Sequence, residues 1–367
     1  MMNWRFYRHL QEVNMERYSR QTNLKEIGLT GQQKLKDAKV LVVGAGGLGC
    51  AVLPYLASGG IGTIGIIDGD KVEESNLPRQ VLYSEKAVGN YKVKEAATRI
   101  GKSNSEVNIQ VYEEFLNPEN ALNIIKNYDL VVDATDAVAV RYLINDACVL
   151  AGKAFVYASV YKFQGQVSVF NYKGGPTYRC LFDNENQNVQ NCEEAGVLGT
   201  AVGFIGMLQA NEVMKMILSA GEVLSGKLLI YDTLNNSQHS FQFKKNGNIK
   251  IDAEFFQQKH FSATPLETTF EEAISGKNIL LDVREAHEEP RLELPDLVKI
   301  PLSILEENTH RLNKNDEIRL FCQSGIRSLK ALEILKNNGF NNLKSIKGGV
   351  KSFGKKLENE EKEERIY

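Results

Sequence analysis

Several residue types whose abundance would mark a particular class of protein are scarce in this chain. Five cysteines are spread widely over 367 residues, which argues against a disulfide framework and favours a reducing compartment. The 44 basic and 46 acidic residues give a formal net charge of −2, so the chain has no global positive field for binding nucleic acid. With 43% hydrophobic and 25% charged residues, the composition is that of a globular protein rather than a disordered one.

Long apolar runs are also missing. The first 21 residues are charged throughout and lack the apolar core of a signal peptide. The longest apolar stretch, 197–208, is too short to span a bilayer and predicts a buried helix. We therefore expect a soluble, cytoplasmic protein that binds neither membrane nor nucleic acid. The sequence leaves open whether translation starts at Met1 or Met15.

From residue 39 to about 230, apolar runs alternate with stretches of helical periodicity. Continuous apolar runs are typical of strands buried on both faces of a parallel sheet. The predicted strands are 40–43, 64–67 and 130–132, the predicted helices are 50–58, 92–100 and 121–126, and 155–170 reads as paired strands broken at Gly165. Strand-helix alternation predicts an α/β fold with a Rossmann-like, doubly wound sheet.

The chain length, at roughly 150 residues per domain, predicts two or three domains. We place the first domain at 1–243 and a polar linker at 244–262. A small α/β domain follows at 263–357, with strands at 279–281 and 318–321 and a helix at 328–337, and a charged tail occupies 358–367.

A glycine-rich loop follows the first predicted strand directly. Gly44, Gly46 and Gly49 match the spacing G-x-G-x-x-G, which allows a tight turn and lets a phosphate approach the start of the next helix. Asp68 ends the next strand, where a carboxylate would accept ribose hydroxyls. A nucleotide site is predicted, and a nicotinamide dehydrogenase is the obvious candidate. Downstream, however, Arg79 and Lys92 suit the charge of a polyphosphate better than a nicotinamide.

Six motifs in order carry a family resemblance. They are RYSRQ at 17–21, GAGGLG at 44–49, DGD at 68–70, SNLPRQ at 75–80, GNYKV at 89–93 and DATD at 133–136. Together they resemble the MoeB/ThiF family, the ubiquitin-activating-enzyme-like adenylyltransferases of sulfur-carrier proteins. The resemblance extends over roughly residues 15 to 243.

The resemblance implies ATP as substrate, Mg²⁺ as cofactor and a set of site residues. The implied nucleotide-binding residues are Gly44, Gly46, Gly47, Gly49, Asp68, Asp70, Ser75, Asn76, Arg79, Lys92 and Asp136. Arg79, Lys92 and Asp136 would also be catalytic, with Asp136 beside magnesium. Arg20 would reach the triphosphate of the neighbouring subunit in a homodimer.

Two positions depart from the family pattern. Ala137 stands where asparagine usually follows the aspartate. One cysteine of the usual zinc-binding pair before Cys180 is replaced by Thr177, and from 181 to 262 Cys192 is the only cysteine. Structural zinc needs four soft or imidazole ligands, so we expect no zinc and expect Cys180 to be a core residue.

Two cysteines are candidates for sulfur chemistry. Cys192 lies in a polar stretch and matches the family cysteine that attacks the activated carrier. Cys322 leaves a predicted strand into a short loop that opens a helix, so backbone N–H groups and Arg327 would stabilise its thiolate or persulfide. This loop, with LDVRE at 281–285 and GGV at 348–350, resembles the active site of rhodanese domains, although the usual HIPGA stretch reads LPDLV at 294–298.

The resemblances imply adenylylation of the C-terminal glycine of a small ubiquitin-like sulfur carrier of the molybdopterin-synthase type, ending in Gly-Gly. A rhodanese persulfide, loaded by an upstream donor such as a cysteine desulfurase, would then supply sulfur for a thiocarboxylate, with Cys192 resolving the acyl-disulfide. Activation of the thiamin-pathway carrier, a non-catalytic carrier-binding scaffold and an NAD-dependent oxidoreductase stay open.

Overall fold

A computed structural model describes residues 16–183, 196–261 and 267–350, except 277, 293, 295 and 296. The chain divides into two compact units, Met1–Phe261 and Ser262–Tyr367.

The first unit is built on one twisted sheet. Its strands in the described residues are β1 (Lys39–Val43), β2 (Thr63–Ile67), β3 (Asn108–Tyr112), β4 (Leu130–Asp133), β5 (Ala154–Tyr161), β6 (Gln164–Phe170), β7 (Lys227–Asp232) and β8 (Ser237–Gln242). They lie in the order β3-β2-β1-β4-β5-β6-β7-β8. Neighbours from β3 to β5 are parallel and those from β5 to β8 are antiparallel. The predicted Rossmann-like α/β fold is confirmed.

Helices cover both faces of this sheet, which is why its central strands are continuously apolar. The helices are α1 (Ser19–Thr22), α2 (Gly28–Asp37), α3 (Gly47–Ser58), α4 (Lys92–Ser103), α5 (Pro118–Ile125), α6 (Val138–Ala151), α7 (Gly199–Leu218) and α8 (Ala253–His260), with short 3₁₀ turns at Glu74–Asn76, Glu85–Ala87, Tyr172–Gly174 and Tyr178–Cys180. Side chains of β1 alternate between two cores. Val40 and Val42 join the core with α3 and α7, whereas Leu41 and Val43 join the core with α5 and α6.

Helix α7 extends the apolar stretch that the sequence analysis ended at residue 208. It is a 20-residue helix, long and apolar enough by length and composition to cross a membrane, and half of its most apolar window is buried inside the unit. Its buried side chains include Ile205 and Val213. The predicted burial is therefore confirmed, but the predicted length was too short because Gln209 and Glu212 lie buried within the same helix.

Two details of the predicted organisation differ from the structure. The segment 244–262 contains helix α8, whose Phe256 is fully buried in the core with α6, so this part of the predicted linker packs on the first unit. Gly165 does not break the paired strands, because β5 ends at Tyr161 and β6 begins at Gln164. Glycine is needed there for packing, since a Cβ atom would lie 2.1 Å from Cγ1 of Ile205.

The second unit is a smaller α/β domain with a five-stranded sheet in its described residues. Its elements are β9 (Glu267–Thr268), α9 (Phe270–Ser275), β10 (Ile279–Asp282), β11 (Leu297–Lys299), β12 (Ile318–Phe321), α10 (Ile326–Asn337) and β13 (Leu343–Ile346), with 3₁₀ turns at Leu302–Ile304 and Thr309–Arg311. The strands lie in the order β11-β10-β12-β13-β9 and all pair in parallel. The predicted second α/β domain is confirmed.

Candidate active sites

A cavity of about 420 Å³ opens at the carboxyl ends of β1, β2 and β4. The strand order changes direction between β1 and β4, and a crevice at such a point is the usual ligand site of an open α/β sheet. Nine of the residues predicted to act here line it: Gly44, Gly46, Gly47, Asp68, Asp70, Asn76, Arg79, Lys92 and Asp136. Ala137, at the departure from the family pattern, lines it as well.

The glycine loop lines this cavity. Gly44 has φ +99°, and a Cβ on Gly49 would lie 2.2 Å from the carbonyl oxygen of Gly44, so a side chain at either position would open the turn. The loop is fixed by Tyr83, whose hydroxyl donates to the carbonyl oxygen of Ala45 over 2.6 Å. Helix α3 starts at the cavity wall, so its first N–H groups and its dipole favour an anion there.

Asp68 joins the loop to the end of β2. One carboxylate oxygen accepts the N–H of Ala45 and the other accepts the N–H of Asp70, each over 2.7 Å. Burial raises the pKa of Asp68, and these two hydrogen bonds oppose the rise. The carboxylate is thus held rigidly at the cavity, where its remaining lone pairs can accept hydroxyls.

Two cations, Lys92 and Arg79, line the same cavity as the glycine loop. Lys92, the first residue of α4, is almost fully buried, and its Nζ lies 2.8 Å from Oδ2 of Asp70. Arg79 is half-buried and donates from Nη1 to the carbonyl oxygen of Ser75 over 3.0 Å. An ammonium, a guanidinium and a helix N-terminus that line one cavity form a setting that stabilises a polyphosphate.

Three predicted residues lie off this cavity. Ser75 is exposed, and its hydroxyl contacts Glu73 and Asn76 instead. Gly49 does not line the cavity, but its lack of a side chain allows the tight turn of the glycine loop. Arg20 is exposed on α1 and does not line the cavity of its own chain, so its role toward a neighbouring subunit stays a prediction.

A buried pair at the cavity was missed by the sequence analysis. Asp133 Oδ2 and Arg141 Nε lie 3.9 Å apart, and neither atom has a hydrogen-bond partner among the described residues. Arg141 lines the cavity and donates from Nη2 to the carbonyl oxygen of Thr135 over 3.0 Å. Burial raises the pKa of Asp133 to about 7, although Arg141 opposes the rise. The sequence does contain one indication of this pair: Arg141 lies one turn into helix α6, which follows the strand that ends at Asp133.

The sequence analysis made predictions for two cysteines of the first domain, Cys180 and Cys192. Cys180 is half-buried rather than a core residue, although Tyr178 and Arg179 in the same 3₁₀ turn are buried. Its Sγ accepts the N–H groups of Thr177 and Asn246, each over 3.4 Å. Within the described residues no group of three or more histidine, cysteine or acidic side chains could hold a metal ion. Cys192 lies outside the described residues.

Cys322 lies at the carboxyl end of β12, in the loop that opens α10. Its Sγ accepts the N–H of Gly325 over 3.1 Å and lies 3.7 Å from the hydroxyl oxygen of Ser328. Gly349 packs against the same turn, since a Cβ there would lie 2.1 Å from the carbonyl oxygen of Cys322. The sulfur is therefore held in a fixed cradle at a helix N-terminus, which stabilises an anionic sulfur.

Arg327 lies in the first turn of α10, one residue inside a helix that the sequence analysis began at residue 328, and it is ion-paired with Glu288. Its Nη1 and Nη2 lie 2.6 and 2.5 Å from the two carboxylate oxygens of Glu288. Arg327 holds the pKa of Glu288 down at about 2, and Glu288 in turn raises the pKa of Arg327. Glu288 is a second residue that the sequence analysis missed, because 39 positions separate it from Arg327.

The fold and the two sites define a class: a nucleotide-binding α/β domain followed in the same chain by a domain with a cradled cysteine. The ThiF family model matches residues 18–250, and the rhodanese-like domain model matches residues 267–356. The chain belongs to the ThiF family and carries a C-terminal rhodanese-like domain.

Relatives and solved structures agree with this assignment. The chain is 38% identical to adenylyltransferase and sulfurtransferase MOCS3 of Culex quinquefasciatus, over 96% of this chain and 90% of that protein. It is 38% identical to a probable molybdopterin-synthase adenylyltransferase of Gracilaria tenuistipitata, over 89% and 94%. The crystal structure of E. coli MccB with ATP is 27% identical and superposes with a TM-score of 0.56, over 65% of this chain and 74% of that one.

Proposed function

We propose that this protein adenylylates the C-terminal glycine of a small ubiquitin-like sulfur carrier of the molybdopterin-synthase type and then converts it to a thiocarboxylate. One observation carries the proposal: the chain combines a glycine-loop cavity lined by cations with a separate cradled cysteine. The matching relatives that are named as adenylyltransferases favour this function over nicotinamide chemistry.

The first step needs positioning and charge rather than a covalent enzyme group. A carboxylate oxygen of the carrier attacks the α-phosphorus of ATP, the bond to the β-phosphate oxygen breaks, and pyrophosphate leaves with the electron pair. Lys92, Arg79 and the start of α3 would offset the charge that develops. Asp136, exposed at the cavity, has the oxygen chemistry that Mg²⁺ prefers and would hold it there.

In the second step, the terminal sulfur of a Cys322 persulfide attacks the acyl carbon of the adenylate, and AMP leaves. The product is an acyl-disulfide between the carrier and Cys322. A thiolate that attacks the Cys322 sulfur releases the thiocarboxylate and leaves a disulfide, which an external thiol must reduce. Cys192 is the residue that we assign to this attack. The proposal includes a homodimer in which Arg20 serves the neighbouring cavity.

ATP–pyrophosphate exchange with Mg²⁺ and a panel of Gly-Gly-ended carriers from the same organism tests the proposal. We expect exchange with the molybdopterin-synthase type of carrier, and none with a carrier whose terminal glycine has been removed. Exchange with the thiamin-pathway carrier alone would mean that the protein activates that carrier instead. A folded protein that binds ATP but exchanges with no carrier would favour the scaffold function instead.

A further inference from the structure

The charges around the cysteine loop of the second domain are closely paired. Arg284 is fully buried and its guanidinium makes two hydrogen bonds to Asp282, over 2.9 and 2.8 Å. Nη1 of Arg291 lies 3.7 Å from the same carboxylate. Arg327, which interacts electrostatically with Cys322, is held by both oxygens of Glu288. Each of these three arginines is paired with a carboxylate. The pairing offsets the positive charge with which the arginines would otherwise attract an anion.

Glu288 is itself positioned for this pairing. Its Oε1 also accepts the N–H of Glu285 over 2.8 Å, and its backbone N–H donates to the carbonyl oxygen of Glu285. The carboxylate is therefore fixed by the turn after β10 as well as by Arg327. The ion pair is mostly buried, with side-chain exposures of 30% for Arg327 and 19% for Glu288. Its charges are screened less by salt than those of an exposed pair.

Sulfur donors differ in how much positive charge they need. Thiosulfate is a dianion: when the Cys322 thiolate attacks its outer sulfur, the S–S bond breaks, sulfite leaves with the electron pair and Cys322 becomes a persulfide. An unpaired cation nearby lowers the repulsion between a dianion and a thiolate and so favours this reaction. A protein persulfide carries at most one negative charge at its outer sulfur; the Cys322 thiolate attacks that sulfur in the protonated form, R–S–SH, and RS⁻ leaves. Only the thiosulfate reaction depends strongly on a free Arg327.

We propose that Glu288 sets the sulfur-donor preference of the Cys322 loop, by neutralising Arg327 so that the loop takes sulfur from a protein persulfide in preference to thiosulfate. This inference rests on the proposed sulfur transfer through Cys322. It makes Glu288 a positioning and specificity residue, since it acts on the donor through Arg327.

The test compares Glu288→Gln with Glu289→Gln in the full chain. Gln keeps the size of the side chain and removes its charge. The Glu289 carboxylate accepts the N–H of Arg291, so Glu289→Gln removes the same charge from the neighbouring position.

With thiosulfate and cyanide, we expect kcat/KM for thiocyanate formation to rise at least about tenfold in Glu288→Gln. The rise should be smaller at high salt, and Glu289→Gln should change kcat/KM by less than about twofold. Labelling of Cys322 by a cysteine desulfurase loaded with ³⁵S-cysteine should stay near the wild-type rate in both. An unchanged thiosulfate kcat/KM in Glu288→Gln, or an equal rise in both variants, would overturn the proposal.

A second measurement does not require sulfur transfer. The ratio of Cys322 alkylation rates with anionic iodoacetate and neutral iodoacetamide, read from the Cys322 peptide by mass spectrometry, reports the local potential, because the same thiolate attacks both reagents. We expect this ratio to rise at least about threefold in Glu288→Gln and in Glu288→Ala. If no donor labels Cys322 in any variant, the proposed sulfur transfer fails, while the ratio still decides whether Glu288 masks Arg327. An unchanged ratio would refute the masking.

Discussion

Lys92 is an almost fully buried cation that lines the nucleotide cavity. Its Nζ is held by Asp70, and it begins a helix, so its position is fixed before any ligand binds. If it offsets charge on the phosphates, Lys92→Ala should reduce ATP–pyrophosphate exchange about 10²–10³-fold, the usual effect of removing one transition-state donor. Lys94→Ala is the matched control, because Lys94 pairs with Glu113 at an exposed position. Equal rates of ATP–pyrophosphate exchange in the two variants would mean that Lys92 does not offset charge on the phosphates.

Asp133, buried beside Arg141, makes the stability of the folded protein depend on pH. Burial raises its pKa to about 7, from 3.8 for an ordinary aspartate, so the folded state keeps a proton that the unfolded state releases. The associated contribution to the free energy of unfolding is fully present below about pH 3.8 and is lost as the pH rises through about 7.

The variant Asp133→Asn should remove this loss. Urea unfolding of the first unit at about pH 5 and about pH 8 measures it, and the wild type should lose stability relative to the variant as the pH rises. Asp129→Asn, at an exposed position before β4, should keep the wild-type pH dependence. A constant difference between wild type and Asp133→Asn would mean that Asp133 does not titrate in this range.

Among the elements, helix α8 was the clearest failure of sequence-based prediction. Its residues are mostly polar, and only Phe256 is fully buried, so there was too little apolar periodicity to reveal a helix. His260 and Arg179 both contact the buried Asp146, at 2.8 and 2.6 Å. The His260 contact attaches α8 to α6, and it was invisible in the sequence because more than a hundred residues separate Asp146 from His260.

If α8 is part of the first unit, Phe256→Ala should lower the free energy of unfolding of that unit by up to about 3–5 kcal/mol, the cost of emptying a buried aromatic site. Thermal and urea unfolding of the full chain measure it. Gln258→Ala, on the exposed side of the same helix, should change stability by less than about 0.5 kcal/mol. A Phe256→Ala variant as stable as Gln258→Ala would mean that the segment is a linker in solution.

Strands were predictable where they are covered on both faces. The runs at 40–43, 64–67, 130–132 and 318–321 became β1, β2, β4 and β12, because complete burial selects continuous apolar residues. Strands β3 and β8 lie at the two ends of the first sheet and are mostly exposed. Edge strands need no continuous apolar face, so their sequences carried no comparable signal.

In the whole molecule, the sequence motifs predicted which residues would meet at the nucleotide cavity but not how their charges are balanced. The glycine loop, Asp68 and Lys92 are local features of strand ends and helix starts, which topology brings to one edge of the sheet. The partner of Arg327 depends on a loop that lies 39 residues earlier in the chain. Charge pairing of this kind is decided by tertiary structure, so the sequence analysis could name Arg327 but not its partner Glu288.

The central claim is that one chain activates the carrier with one site and supplies sulfur with the other. The most direct test is intact-mass detection of the carrier thiocarboxylate, together with ATP–pyrophosphate exchange, for wild type and Cys322→Ala. Wild type should give both activities. Cys322→Ala should keep exchange within about twofold, because no covalent enzyme group takes part in adenylylation, and should form no thiocarboxylate. Thiocarboxylate at the wild-type level in Cys322→Ala, or loss of exchange in a folded Cys322→Ala protein, would contradict this division of labour.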